Sequence, residues 1–171
     1  MKNDKPHINI RGKSWFLIVV VTVLLWLGII MLITGCQFEF EGEEIIDPQL
    51  SEHYEAFLHE ATMRGVDLPD RAVLLFIDPD HTSSRAHCDW NHKRATIRIS
   101  KEFYDYYMNI KNAPYQIEAT VFHELGHGLL DRHHIEQDPD GLPSLMVVGG
   151  YRYDYVERRT EYIDELFNSK Q

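Results

Sequence analysis

His123-Glu124-Leu125-Gly126-His127 places two imidazoles four residues apart, with a carboxylate beside the first. On an α-helix, positions i and i+4 lie one above the other on the same face, so both rings can reach one metal ion without bending the backbone. The glutamate then points toward the same cleft, where it can accept a proton from water activated by the metal. Two histidines leave a hydrolytic zinc ion short of one protein ligand, because such sites keep the fourth position for water. His133 and His134 follow closely, and either can supply it. The chemistry this pattern serves is hydrolysis, with Glu124 as general base and His123 and His127 as metal ligands.

A helix must carry the motif, and the flanks provide one. From Ala119 to Leu130 the only charge is the motif's own glutamate. Such an uncharged frame belongs to a buried helix, here expected from about Pro114 to Arg132. Upstream, Leu50, Tyr54, Phe57, Leu58 and Ala61 recur at helical spacing. Asp47-Pro48 is the expected N-cap of that helix and Gly65 its C-cap. Ala72 to Ile77 is a short apolar run between prolines, which predicts a buried strand. Ala95, Ile97 and Ile99 alternate with Thr96 and Arg98, which predicts a half-exposed strand. Ser100 opens a further helix to about Ile110. The stretch from Asp78 to His92 holds Asp78, Asp80, His81, His87, Asp89 and His92. A second metal site can be drawn from these, but a solvated loop is the simpler reading. Together the elements predict an α+β domain over residues 47–171, with a short sheet packed on the motif helix. No internal repeat interrupts it, and its size suits a single domain with a modest core.

The motif and its sequel resemble a known family. Metzincin metallopeptidases read HExxHxxGxxH, and His133 falls at their third histidine. Ser144-Leu145-Met146 is similar to the Ser-x-Met of their Met-turn, which makes Met146 the implied floor beneath the metal. One position departs: the glycine where the family's helix breaks is Leu130 here. Leucine favours continuing the helix, so the turn is expected later, and a later turn makes His134 the ligand. The pattern also resembles small bacterial lipoproteins described as zinc metallopeptidases, in which the last histidine aligns with His134. The third ligand is therefore expected to be His134, or His133. Gluzincin peptidases instead take a glutamate from a downstream helix, and Glu157 and Glu161 stand at i, i+4 on one here. The resemblance implies a zincin-like fold, a Zn²⁺ cofactor and a peptide or protein substrate. In zincins an edge strand beside the active-site helix pairs with the substrate, and the strand around Ile97 is the candidate. Tyr151, Tyr153 and Tyr155 alternate beyond the Ser-x-Met and are read as packing or strand residues.

The N-terminal segment bears on location. Residues 14 to 38 carry no charge, with Lys2, Lys5, Arg11 and Lys13 before them and Glu39, Glu41, Glu43 and Glu44 after. A basic, then apolar, then acidic order is that of a signal peptide or membrane anchor over residues 1–35. Leu32-Ile33-Thr34-Gly35-Cys36 resembles a bacterial lipobox, which implies lipid attachment at Cys36 after cleavage. An uncleaved transmembrane anchor is the alternative. Either places the zinc domain outside the cytoplasmic membrane, in the bacterial cell envelope. Residues 36–46 are acidic and read as a tether. The whole chain has 17 Lys and Arg against 27 Asp and Glu, a net charge of −10. A nucleic-acid partner would call for a basic patch, so none is expected. A non-catalytic zinc-binding envelope lipoprotein is the competing expectation, and a zinc hydrolase of a non-peptide bond is a third.

Overall fold

The structure, a computed structural model, describes residues 43–82, 84–111, 113–136, 143–148 and 153–168. The expected leader over residues 1–35, Cys36 and most of the tether lie outside the described residues. The order of elements is β1 (Ile45–Ile46), α1 (Ser51–Met63), β2 (Ala72–Asp78), β3 (Ala86–Trp90) and β4 (Arg94–Ser100). There follow α2 (Lys101–Asp105), which runs on as a π-helical turn over Tyr106–Ile110, then α3 (Tyr115–Leu130) and α4 (Tyr155–Asn168). The fold class is α+β, built on a mixed four-stranded sheet with the order β1-β2-β4-β3.

Strand β2 pairs in parallel with β1 and with β4, and β4 pairs antiparallel with β3. The sheet turns Val73, Leu75, Ile97, Ile99 and Cys88 inward. Helix α3 lies on that face so closely that Gly128 has no room for a side chain. A Cβ there would come within 2.7 Å of the Ala95 Cβ and 3.3 Å of the Cys88 Sγ. On its other side α3 meets α1 through Phe57 and Phe122, whose rings pack edge to face at 5.3 Å. Phe57 also touches Phe167 of α4, at 5.0 Å. The motif helix is thus clamped between a sheet and two helices, and from Ile117 to Leu129 most of its residues are buried.

Several expectations need correction. Asp47 does not cap α1: its carboxylate accepts the Gln49 N–H at 2.9 Å in a turn, and the helix begins only at Ser51. Gly65 does take the left-handed conformation after the helix, with φ of 66°. The acidic tether ends sooner than expected, because Ile45 and Ile46 join the sheet beside Leu74 and Leu75. Ser100 caps α2 through its hydroxyl, which accepts the Phe103 N–H at 3.4 Å. The strand around Ile97 is not an edge, since β4 lies between β2 and β3. The sheet's edges among the described residues are β1 and β3, and β3 lies within the stretch expected to be a loop. Its Ala86, Cys88 and Trp90 turn toward the core while His87 and Asp89 face solvent. That alternation is the period of a half-buried strand. Tyr155 is buried at the start of α4, and Tyr153 is exposed. Among the described residues, no helix is long and apolar enough to cross a membrane.

Candidate metal centre

Helix α3 puts His123 and His127 on one face, one turn apart. Their Nε2 atoms lie 3.2 Å from each other, and the His134 Nε2 lies 3.0 Å from both. Hydrogen bonds at the far side of two rings decide what those nitrogens are. His123 Nδ1 is 2.6 Å from the Leu145 carbonyl oxygen, and His127 Nδ1 is 2.6 Å from the Arg132 carbonyl oxygen. A carbonyl only accepts, so each Nδ1 carries a proton, and in the neutral ring each Nε2 then presents a bare lone pair. Lone pairs at 3.2 Å repel unless a cation lies among them. Three nitrogens bound to a tetrahedral ion at the usual 2.0–2.1 Å stand roughly 3.3 Å apart, close to the observed spacing. His123, His127 and His134 therefore form a group that can hold a metal ion, and among the described residues it is the one such cluster of His, Cys, Asp and Glu side chains.

The third histidine arrives by way of a left-handed turn. Helix α3 continues through Leu130 and stops at Asp131, whose φ of 52° and ψ of 28° are rare for a residue with a side chain. The Arg132 N–H reaches back to the Gly126 carbonyl at 3.0 Å, as at helix ends closed by a left-handed residue. Aspartate tolerates this region better than most residues, and here it is also held from outside. Arg71, just before β2, donates to both Asp131 carboxylate oxygens, at 2.8 and 3.0 Å, and to the Gly128 carbonyl at 2.7 Å. Arg71 and the Trp90 side chain both hydrogen-bond the Asp131 carboxylate and hold its pKa below the usual range, while partial burial works against them. With the turn at Asp131, His134 swings to the other two rings. His133 faces Trp90 instead, at 6.2 Å.

Ser144, Leu145 and Met146 support α3 from the opposite side. The Ser144 hydroxyl accepts the Met146 N–H at 3.1 Å, Leu145 gives its carbonyl to His123, and Met146 is fully buried. Met146 presses on the helix at Gly126, where a Cβ would lie 3.0 Å from its sulfur. A short parallel bridge then ties Ile135, next to His134, to Val147. Below the site the Arg132 guanidinium caps α4, donating to the Glu165 and Leu166 carbonyls and pairing with the buried Glu165 carboxylate at 2.7 Å.

Glu124 is buried, and burial pushes its carboxyl up to about 8. A dication bound nearby would oppose that rise by favouring the carboxylate. Burial also lowers the pKa of His127, which keeps the ring neutral and available as a ligand. A cleft of about 360 Å³ opens in front of His123, Glu124 and His134. Ser84 to Ala86, at the entry to β3, form one wall, and Leu145, Val147 and Val148 form another.

The remaining expected residues lie elsewhere. Glu161 is engaged by Arg158 at 2.8 Å, and neither it nor Glu157 belongs to the histidine cluster. His81 and His87 stack on each other at 6.4 Å, and His87 meets Asp89 at 3.1 Å. No second metal cluster forms from that stretch among the described residues. Cys88 is buried against α3 and stands outside the cluster. Residues that sequence reasoning overlooked are Arg71, Asp131 and Trp90, whose ring stacks on His127 at 5.3 Å and 19°. Nothing in the local spacing marks them, because their partners are distant in sequence.

The chain matches no protein-family model, no curated protein and no solved structure.

Proposed function

We propose that this chain is a zinc-dependent peptidase, with His123, His127 and His134 as ligands and Glu124 as general base. The observation that carries the reading is the pair of imidazoles fixed by backbone carbonyls, their Nε2 lone pairs converging with His134 beside a buried carboxylate. A binding site that served structure alone would have no use for a base and would usually close its fourth position. Zinc, when bound, supplies Lewis acidity, which makes water nucleophilic near neutral pH and polarises a carbonyl. All else falls to the protein. Glu124 takes a proton from the attacking water and returns it to the leaving amine, acting first as general base and then as general acid. Among the described residues β3 is an edge strand of the sheet, along which an extended peptide can lie. The Arg132 and Leu145 carbonyls hold the rings in place while this happens.

The test is zinc content and hydrolysis of a peptide library by the purified protein and by Glu124→Gln. One equivalent of zinc in both is expected, with cleavage falling at least about a hundredfold in the variant, the low end of what a positioned base contributes. Zinc in both without cleavage by either would favour a non-catalytic zinc-binding protein. Absence of zinc from both would sink the proposal.

A further inference from the structure

Behind the catalytic cleft lies a larger hollow of about 1070 Å³. Ser84, Arg85 and Gln116 line both, so the two are neighbouring parts of one groove face. Its floor is a ladder of rings. Phe103 meets Tyr107 at 4.8 Å, and Tyr107 meets Tyr106 edge to face at 5.0 Å. The π-helical turn at Tyr106–Ile110 builds this surface. Such turns are rare, and they occur mostly where a site needs side chains that a regular helix would aim elsewhere. A second observation falls on the same face. Tyr106, Ile110 and Tyr153 are among the exposed large hydrophobics of the described residues and line the larger hollow, while exposed Val148 lines the cleft. Ile110 is 71% exposed and Tyr153 75%. Four of the seven exposed large hydrophobics among the described residues thus lie on the cleft or on the hollow beside it.

We propose that this groove is an extended substrate subsite, which takes an aromatic and apolar stretch of polypeptide flanking the scissile bond. The proposal rests on the peptidase reading and names the substrate class: unfolded or extended segments rich in bulky apolar residues, recognised at a distance from the cut. Of the charged residues lining the hollow, Asp105 is engaged by Lys101 and Lys111 sits over the Tyr106 ring. A glycan would use the rings but gain nothing from Ile110 and Val148, whose aliphatic surfaces suit an apolar side chain.

Binding is measured on zinc-loaded Glu124→Gln protein by fluorescence polarisation, which separates it from catalysis. The probes are two labelled peptides, identical except that one carries a Phe-Leu-Tyr run where the other has Gly-Ser-Gly. The aromatic peptide should bind at least tenfold tighter, and Ile110→Asp with Tyr106→Ser should reduce that preference to about twofold with the melting temperature preserved. Equal binding of both peptides, or a preference untouched by these substitutions, would overturn the proposal. So would displacement of the peptide by a β-1,4-linked oligosaccharide, or a dimer in sedimentation that Ile110→Asp dissolves. If the aromatic peptide binds with the expected preference but native protein cleaves nothing, the groove stands and the peptidase reading fails. Cleavage of short peptides with no aromatic preference in binding fails the groove alone.

Discussion

Which of two adjacent histidines faces His123 and His127 is decided at Asp131. A glycine at position 130 would let the helix break there and bring His133 round. Leucine carries the helix one residue further, the left-handed residue becomes Asp131, and the ring that joins the pair shifts by the same one residue to His134. Replacing His134 with alanine should weaken zinc binding by more than the roughly hundredfold typical of losing an outer-shell partner, while His133→Ala should bind near the native level. Competition with a chromophoric chelator measures both, and a larger effect at His133 would reject the assignment. This much was legible in the sequence: the HELGH spacing brings two rings together on one helix face beside Glu124, and the missing glycine gives the direction of the shift. The carbonyl partners of the two rings were not legible, because a backbone oxygen leaves no mark in residue type.

At the scale of elements, the C-terminal end of α3 is a joint fastened from the sheet. Arg71 reaches from the residue before β2 to the Asp131 carboxylate and the Gly128 carbonyl, so the entry to the strand and the helix end are fixed together. Arg71→Met keeps much of the stem and loses the fork. It should leave the fold intact by circular dichroism yet lower zinc affinity about 10- to 100-fold, as expected when an outer-shell orienting contact is removed. Zinc affinity equal to that of the native protein would show that the turn holds without the clamp. The helices and the two apolar strands were readable from periodicity, since burial imposes it directly. Strand β3 was hidden by composition: His87 and Asp89 look like loop residues, and only their outward alternation with Ala86, Cys88 and Trp90 betrays the strand. The π-helical turn has no sequence signal of its own, and the edge position of β3 is a property of the whole sheet rather than of any strand.

For the molecule as a whole, the site draws on α3, the turn after it and the Ser144–Met146 segment, and these meet only in the folded state. Metal bound there adds its binding free energy to folding. At zinc concentrations about a hundredfold above the dissociation constant this amounts to about 2.7 kcal/mol. Chelation should then lower the melting temperature by roughly 10 °C. A calorimetric scan with and without chelator checks it, and superimposable transitions would mean the cluster does not couple a metal to the fold.

Cys88 carries a consequence of the close approach between α3 and β3. Its thiol lies under Gly128, and burial, with help from the nearby carboxylates of Glu124 and Asp89, pushes its pKa well above the usual range. It is shielded both from reagents and from ionisation, so it reacts only in the moments when the helix parts from the sheet. The alkylation rate at Cys88, followed by peptide mass analysis, is therefore a built-in clock for the opening of the helix that bears His123, Glu124 and His127. Zinc should slow that clock and chelation should quicken it. A rate indifferent to both would mean that the helix breathes independently of its metal.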